Sequence, residues 1–257
     1  MRFDEAMALG RQALARTAPI YRVDSRGRHD QFGSAVLVTF RGRHFAASAG
    51  HVLSELADRE LRIGGDDVTL RLSPPVFHSG AIGERRFREE PFDLSFVSLT
   101  ADDGRLLAPA GFAVLDRPGP LQPIEEGRRL VILGFAARDF KAVPAGEVVQ
   151  VEGTTLGAVA AGPDAYRRHG FNAATHLLIP FDRLRTMGPD GAAATPRLKG
   201  MSGCGIWDAD SGRLLSLLTA HMEQHDKLIV STRIEMLTVG LEACLDGRLV
   251  VTRRATA

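Results

Sequence analysis

The sequence predicts an all-β fold over most of its length, built from antiparallel barrels or a sandwich. Between Ile20 and Val239, short apolar runs recur and are separated by Gly, Pro and Asp, which is the pattern of many short strands joined by turns. The apolar runs do not alternate with long helical segments, so the sequence does not predict a parallel α/β sheet. The predicted strands are 34–40, 44–49, 68–72, 94–99, 130–135, 148–151, 175–179, 214–219 and 228–232.

Helices are predicted only at the two ends of the chain. Residues 1–16 have amphipathic spacing with acids in the first turn, and Pro19 ends the pattern. This segment covers one end of the domain or docks on a partner. Residues 234–245 have helical spacing of Ile234, Leu237 and Leu241. Residues 117–127 contain three prolines and two glycines, which is typical of a connection between folded units.

Composition excludes several classes of function. The chain has 257 residues and a net charge of +1, so a nucleic-acid partner is not expected. No apolar stretch approaches the roughly 20 residues that cross a bilayer, and residues 1–16 do not form a secretory signal. With only Cys204 and Cys244, a disulfide-stapled scaffold is not expected, and a reducing cytoplasm fits better.

Three short motifs carry the chemistry. Ser48-Ala49-Gly50-His51 follows an apolar strand, Phe92-Asp93-Leu94 opens another, and Gly200-Met201-Ser202-Gly203-Cys204 precedes a third. Base, acid and nucleophile therefore occur in the order His51, Asp93, Ser202, with separations of 42 and 109 residues. That order belongs to one of the three known arrangements of a Ser-His-Asp triad.

Each residue type has a physical reason to be there. A serine hydroxyl attacks a carbonyl only when a neutral imidazole accepts its proton. A carboxylate on the other ring nitrogen fixes the tautomer of the imidazole and stabilises its charged form. Glycines around the serine let backbone amides turn toward one point, so we expect an oxyanion hole formed by the amides of Gly200 and Ser202.

In these motifs the chain resembles the trypsin-like (chymotrypsin-fold) serine peptidases of the bacterial, disulfide-free kind. The resemblance implies two antiparallel six-stranded β-barrels in a chymotrypsin-like double barrel, with His51 and Asp93 in the first barrel and Ser202 in the second. The implied division is an N-terminal helical segment at 1–18, a first barrel at 19–116, a connection at 117–127, and a second barrel with a C-terminal helix at 128–257.

The sequence departs from the family pattern at three positions. Met201 stands where secreted trypsins have an aspartate that pairs with a new N-terminus, so we expect activity without cleavage near residue 20. Cys204 replaces a glycine and is expected to be a small buried apolar residue. Gly50 replaces an alanine before His51, and a looser turn is expected there.

The resemblance also places a substrate groove along Thr219, Ala220 and His221, with the Thr219 hydroxyl supporting Asp93. No acid lies between Ala192 and Lys199, around the expected pocket base near Pro196, so an Arg or Lys preference at P1 is not predicted. Arg197, Lys199 and His221 either favour an acidic or polar P1 side chain or face solvent.

The predicted function is that of a cytoplasmic serine endopeptidase that works through an acyl-enzyme and needs no cofactor. Its expected partners are a specific protein or peptide substrate and a regulatory protein, and family association suggests a bacterial stress or phage-defence effector. Two alternatives stay open: a catalytically silent pseudo-peptidase that serves as a protein-binding module, and an esterase-like hydrolase. The pair His221 and His225 has the wrong acid position for a metal motif, and no metal is predicted.

Overall fold

The chain folds mainly as β-structure. The computed structural model describes residues 10, 12–65, 68–79, 92–108, 111–117, 121–137, 153–180, 198–222 and 228–248. Their strands form two curled sheets of eight and six strands. The predicted all-β fold with two barrel-like units is therefore confirmed.

The first sheet holds the residues up to Leu115. Its strands run in the order β5-β4-β1-β2-β3-β7-β6, and β8 lies beside β2. The pairs along this order are antiparallel, whereas β8 pairs with β2 in parallel, with Ala113 opposite Val38. The strands are β1 (Thr17–Val23), β2 (His29–Phe40), β3 (Arg43–Ala49), β4 (Leu61–Gly65), β5 (Val68–Arg71), β6 (Val76–His78), β7 (Leu94–Leu99) and β8 (Ala113–Leu115).

The first sheet differs from the predicted six antiparallel strands in number and in this one pairing. The strands that the periodicity did not reveal include β6 and β8, of three residues each. A strand of three residues is too short to show an alternating apolar pattern, so the sequence does not reveal it.

The second sheet is antiparallel, in the order β10-β9-β12-β13-β14-β11. A β-bulge interrupts the pairing of β13 with β14 between Leu218 and Ala220. Residues 148–151, predicted as a strand, lie outside the described residues. The strands are β9 (Arg129–Phe135), β10 (Gly153–Val159), β11 (His176–Pro180), β12 (Gly205–Asp208), β13 (Leu214–Met222) and β14 (Leu228–Arg233).

The C-terminal helix is confirmed with the predicted bounds. The helices that the structure bounds are α1 (Gly50–Ser54), α2 (Ala101–Leu107), α3 (Pro163–His169) and α4 (Ile234–Leu245), with a short 3-10 helix at Glu55–Ala57. Ile234, Leu237 and Leu241 of α4 are buried in an apolar cluster that both sheets share. Burying each such side chain stabilises the fold by about 1.5–3 kcal/mol.

The N-terminal prediction can be compared only at its end, because residues 1–9 and 11 lie outside the described residues. Residues 12–14 are helical, and Ala13 is buried in the shared cluster. Leu14 lies against β10, where a Cβ on Gly153 would come within 2.5 Å of its methyl carbons. The amide of Leu37 in β2 donates to the carbonyl of Arg16 at 2.8 Å. The described end of this segment therefore packs on both sheets.

Helix α2, which contains Asp102 and Asp103, was not predicted from the sequence. The amide of Asp103 donates to the Thr100 hydroxyl at 3.0 Å, and the Thr100 amide donates back to the Asp103 carboxylate at 3.2 Å. This reciprocal capping box satisfies donors that a helix start leaves open, so a helix forms despite Gly104.

Candidate active site

His51 and Asp93 form the most directly bonded pair of the site. Nδ1 of His51 lies 2.7 Å from Oδ2 of Asp93, and the His51 amide donates to Oδ1 at 2.8 Å. An ionised carboxylate only accepts hydrogen bonds, so Nδ1 carries the proton and Nε2 is the basic nitrogen of the neutral ring. The His51 side chain is 47% exposed, whereas that of Asp93 is 14% exposed. The imidazole is therefore oriented from its buried side and open on the other.

Local backbone geometry brings the carboxylate to the ring. Asp93 has a φ of 45°, a left-handed conformation that Asp tolerates better than most residues but that still costs free energy. The Gly50 amide donates to the Asp93 carbonyl at 2.6 Å. A Cβ on Gly50 would lie only 2.7 Å from Oδ1 of Asp93. The glycine therefore allows a close approach of the Asp93 carboxylate to the backbone at position 50.

The segment 199–204, here called the nucleophile loop because it contains the predicted nucleophile Ser202, has two amides without a partner among the described residues. The Lys199 carbonyl accepts from the Ala137 amide at 2.8 Å, and the Met201 carbonyl accepts from the Cys204 amide at 2.9 Å. In a trans peptide the N–H points opposite to the carbonyl, so these bonds fix the directions of the following N–H groups. Those are the amides of Gly200 and Ser202, and neither donates a hydrogen bond to a described residue.

The loop approaches the His51 segment through Gly203. Gly203 has a φ of 85°, and a Cβ there would lie 2.9 Å from the Ala49 amide nitrogen and would overlap Ser48 Oγ and the Ser34 carbonyl. The residue after Ser202 is thus packed against the residues that precede His51. Within the described part of the chain, Ser202 Oγ and His51 Nε2 do not form a hydrogen bond. In enzymes without substrate such bonds are often long and tighten only in the complex.

Met201 and Cys204 are structural residues of the loop. Both are fully buried in the second sheet's apolar cluster with Leu198, Ile206 and Leu218. Burial raises the pKa of the Cys204 thiol far above its ordinary value, so the thiol stays protonated and weakly nucleophilic. This agrees with the expectation of a small buried apolar residue at position 204.

The predicted groove residues lie on β13, where Thr219 has a different contact from the expected one. Its hydroxyl donates to the Val230 carbonyl at 3.2 Å, and no hydrogen bond to Asp93 is seen among the described residues. Thr232, which sequence reasoning missed, donates instead to the Phe92 carbonyl at 2.6 Å. Ala220 is half-buried and pairs with Val230, and His221 pairs with Ile229.

Some predicted positions are not described. Pro196, Arg197 and His225 lie outside the described residues, whereas Lys199 is exposed. Among the residues that the structure describes, no group of three or more His, Cys, Asp or Glu could hold a metal ion. In the same residues no helix is both long and apolar enough to cross a membrane.

Comparisons with known proteins give the fold. No protein-family model matches the chain, and no curated protein matches it. Among solved structures, the thermostable serine protease AL20 from an extremophilic microorganism is 14% identical with a TM-score of 0.56, over 91% of this chain and 98% of that chain. The chain has the chymotrypsin-like fold.

Two further structures show the same likeness. Human heparin binding protein is 13% identical with a TM-score of 0.57, over 91% of this chain and 93% of that one. The inactive form of the Rv3671c protease from M. tuberculosis is 12% identical with a TM-score of 0.54, over 91% of both chains. At these identities the chymotrypsin-like fold is what the chain shares with them.

Proposed function

We propose that this protein is a serine peptidase that cleaves peptide bonds through an acyl-enzyme. The observation that carries the proposal is the His51–Asp93 pair, bonded at 2.7 Å, beside a loop that carries Ser202 and two amides that donate to no described residue. A chymotrypsin-like fold with serine proteases among its solved neighbours supports the same chemistry.

The proposed reaction assigns one role to each group. His51 Nε2 accepts the proton of the Ser202 hydroxyl as its oxygen attacks the scissile carbonyl, and Asp93 stabilises the resulting imidazolium. The amides of Gly200 and Ser202 donate to the oxyanion. The imidazolium returns its proton to the leaving amine. Water then attacks the acyl-enzyme: His51 accepts a proton from the water and passes it to the Ser202 oxygen as the acyl group leaves.

We further propose that this activity does not depend on a newly cleaved N-terminus. Ile20, near the position where the family is cleaved, is fully buried and pairs with Gly33 on one side and Ile63 on the other. Releasing Ile20 would break the pairing of β1 with both β2 and β4. Met201 is buried among apolar side chains and offers no charge to pair with an α-amino group.

The substrate is proposed to be a protein or peptide, cut within the chain. Strand β13, the predicted groove strand, lies against the loop, since the Gly203 amide donates to the Leu218 carbonyl at 2.7 Å, and the solved neighbours include proteases. A cytoplasmic site of action, a regulatory partner and a role as a bacterial stress or phage-defence effector belong to the same proposal. Both cysteines are free, which suits a reducing compartment.

A serine-reactive fluorophosphonate probe tests the proposal directly. The wild type should gain one adduct that peptide mapping places on Ser202, and Ser202→Ala should gain none. Ser231→Ala, which removes a buried hydroxyl of the second sheet, is the matched control and should react like the wild type. An intact wild type that neither reacts nor cleaves any peptide of a library would instead favour the pseudo-peptidase.

A further inference from the structure

We propose that Ser34, a buried residue of the first sheet, is a positioning residue for the nucleophile loop; this inference rests on the proposed function. All polar groups of Ser34 are used. Its hydroxyl donates to the Gly200 carbonyl at 3.0 Å and accepts from the Phe135 amide at 3.1 Å. Its amide donates to the Ser202 carbonyl at 2.9 Å, and its carbonyl accepts from Ser48 Oγ at 2.7 Å.

Ser34 completes a set of bonds to successive carbonyls of the loop. Ala137 and Cys204 hold the carbonyls of Lys199 and Met201, and Ser34 holds those of Gly200 and Ser202. Each peptide plane from 199 to 202 is therefore fixed at its oxygen. Because a trans peptide turns as a rigid plane, the bonds from Ala137 and Cys204 fix the Gly200 and Ser202 amides that are proposed to bind the oxyanion. Ser34 fixes the two planes that follow them, on either side of Met201 and Ser202.

The position of Gly200 explains why an anchor is needed there. Gly200 has a φ of 86°, and glycine crosses between backbone conformations more readily than other residues. The loop segment also lacks a charged anchor among the described residues, since Met201 stands where an ion pair would form. The plane between residues 200 and 201 is held at both edges: the Ser34 hydroxyl donates to the Gly200 carbonyl at 3.0 Å, and the Met201 amide donates to the Leu198 carbonyl at 3.0 Å. Of these two bonds, only the one from Ser34 ties the plane to the first sheet.

The surroundings of Ser34 make this anchor rigid. Ser34 and Gln31 are fully or almost fully buried, and the Gln31 side-chain amide donates to the Phe135 carbonyl. A Cβ on Gly200 would lie 3.0 Å from Gln31 Nε2. The first sheet thus holds both β9 and the loop through two adjacent buried polar side chains, and a buried hydrogen bond of this kind is expensive to leave unmade.

The test compares Ser34→Ala and Ser34→Gly with Ser34→Thr, which keeps the hydroxyl. Ser231→Ala is the control, because that serine is equally buried and its hydroxyl bonds to the Leu177 carbonyl at 2.8 Å and the Ser216 hydroxyl at 3.0 Å, not to residues 199–204. Rates are divided by the concentration of sites titrated with fluorophosphonate, so unfolded molecules do not enter. We expect Ser34→Ala and Ser34→Gly to lose about 10- to 100-fold in kcat with KM unchanged, while Ser34→Thr and Ser231→Ala stay close to the wild type.

Two further readouts separate positioning from stability. A peptidyl boronic acid, which forms a tetrahedral adduct on serine, should bind Ser34→Ala more weakly by the same factor as the loss of kcat/KM. In ¹H–¹⁵N spectra of the free protein, the signals of Gly200 and Ser202 should shift or broaden in Ser34→Ala and not in Ser231→Ala.

The inference is overturned if kcat per titrated site and these two amide signals match the wild type in Ser34→Ala. The spectra decide the positioning role even in a wild type that proves inert, because they need no turnover. If the wild type does not react at Ser202, the proposed function is contradicted instead. The failure of the positioning role and the failure of the proposed function are therefore distinguishable.

Discussion

The backbone amide of Ser34 donates to the carbonyl of Ser202 over 2.9 Å, although 168 positions separate the two residues in the chain. The bond joins strand β2 of the first sheet to the loop that precedes β12 of the second. It fixes the position of the proposed nucleophile relative to the sheet that carries His51 and Asp93. The geometry of the candidate site therefore depends on how the two sheets pack.

Replacing Asp93 with asparagine is expected to lower kcat by about 10⁴-fold, as the loss of the orienting carboxylate does in related triads. The carboxylamide can donate to Nδ1 and so favours the tautomer whose Nε2 carries the proton. Steady-state kinetics of Asp93→Asn would measure this. Asp103→Asn, which changes the capping box of α2, should leave kcat unchanged. Equal rates for Asp93→Asn and the wild type would contradict the role of Asp93.

Gly203→Ala is expected to destabilise the protein by more than about 3 kcal/mol and to abolish probe reaction at Ser202. The methyl group would overlap Ser48 and the Ser34 carbonyl, and φ at this residue is 85°. Thermal unfolding measures the first effect. The control is Gly157→Ala, because a Cβ there meets no atom within 4 Å. A melting temperature for Gly203→Ala equal to that of the control would show that the packing is looser than described.

Stability is expected to fall as the pH drops below about 6.5, in part because of His29. Burial lowers the pKa of His29, with the Arg62 charge lowering it further and Glu60 opposing the shift. Since the unfolded chain binds a proton at higher pH than the folded one, the contribution of His29 is complete above the unfolded pKa and is lost as the pH falls toward the folded pKa. Urea unfolding at a series of pH values measures this.

His29→Leu is the comparison for that titration. Neither ring nitrogen of His29 has a hydrogen-bond partner in the described structure, so the substitution removes the titration without breaking a bond. The variant should lose less stability on acidification than the wild type. Parallel pH profiles for the two proteins would rule out this contribution of His29.

Cys204 is expected to resist alkylation in the folded protein. It is fully buried, and burial raises the pKa of its thiol, so both access and thiolate are lacking. Cys244 is half-buried and should react first. Peptide mapping after iodoacetamide treatment, with and without denaturant, distinguishes the two sites. Modification of Cys204 in the native state, or a fluorophosphonate adduct on it, would revive it as a rival nucleophile.

The parts of the fold that were predictable have signals within a short stretch of chain. The strand Leu94–Leu99 and the helix Ile234–Leu245 occur with the predicted bounds, because their apolar spacing records which face is buried. Helix α3 (Pro163–His169) was not predicted, since in a segment of seven residues the proline at its start and the glycine after it also match a loop.

The contacts of the site were predictable only where the motifs themselves named both partners. His51 and Asp93 were paired in advance from the order of the motifs and the chemistry of a triad. Ser34 was not found, because its hydroxyl binds a carbonyl 166 positions away and nothing near it in the sequence marks that bond. Thr219 was assigned to Asp93 through the resemblance, but it lies at a bulge of β13 and its hydroxyl donates to the Val230 carbonyl.

The sequence by itself determined the types and order of the reactive groups, the β-strand content and the C-terminal helix, because these depend on residue chemistry and local periodicity. Only the tertiary structure decided which backbone carbonyls hold the nucleophile loop and why positions 50 and 203 tolerate nothing larger than glycine. The contacts of the loop and of Gly203 arise where the two sheets pack against each other, whereas the contact of Gly50 with Asp93 arises within the first sheet. At such an interface, burial obliges polar groups from distant parts of the chain to satisfy one another.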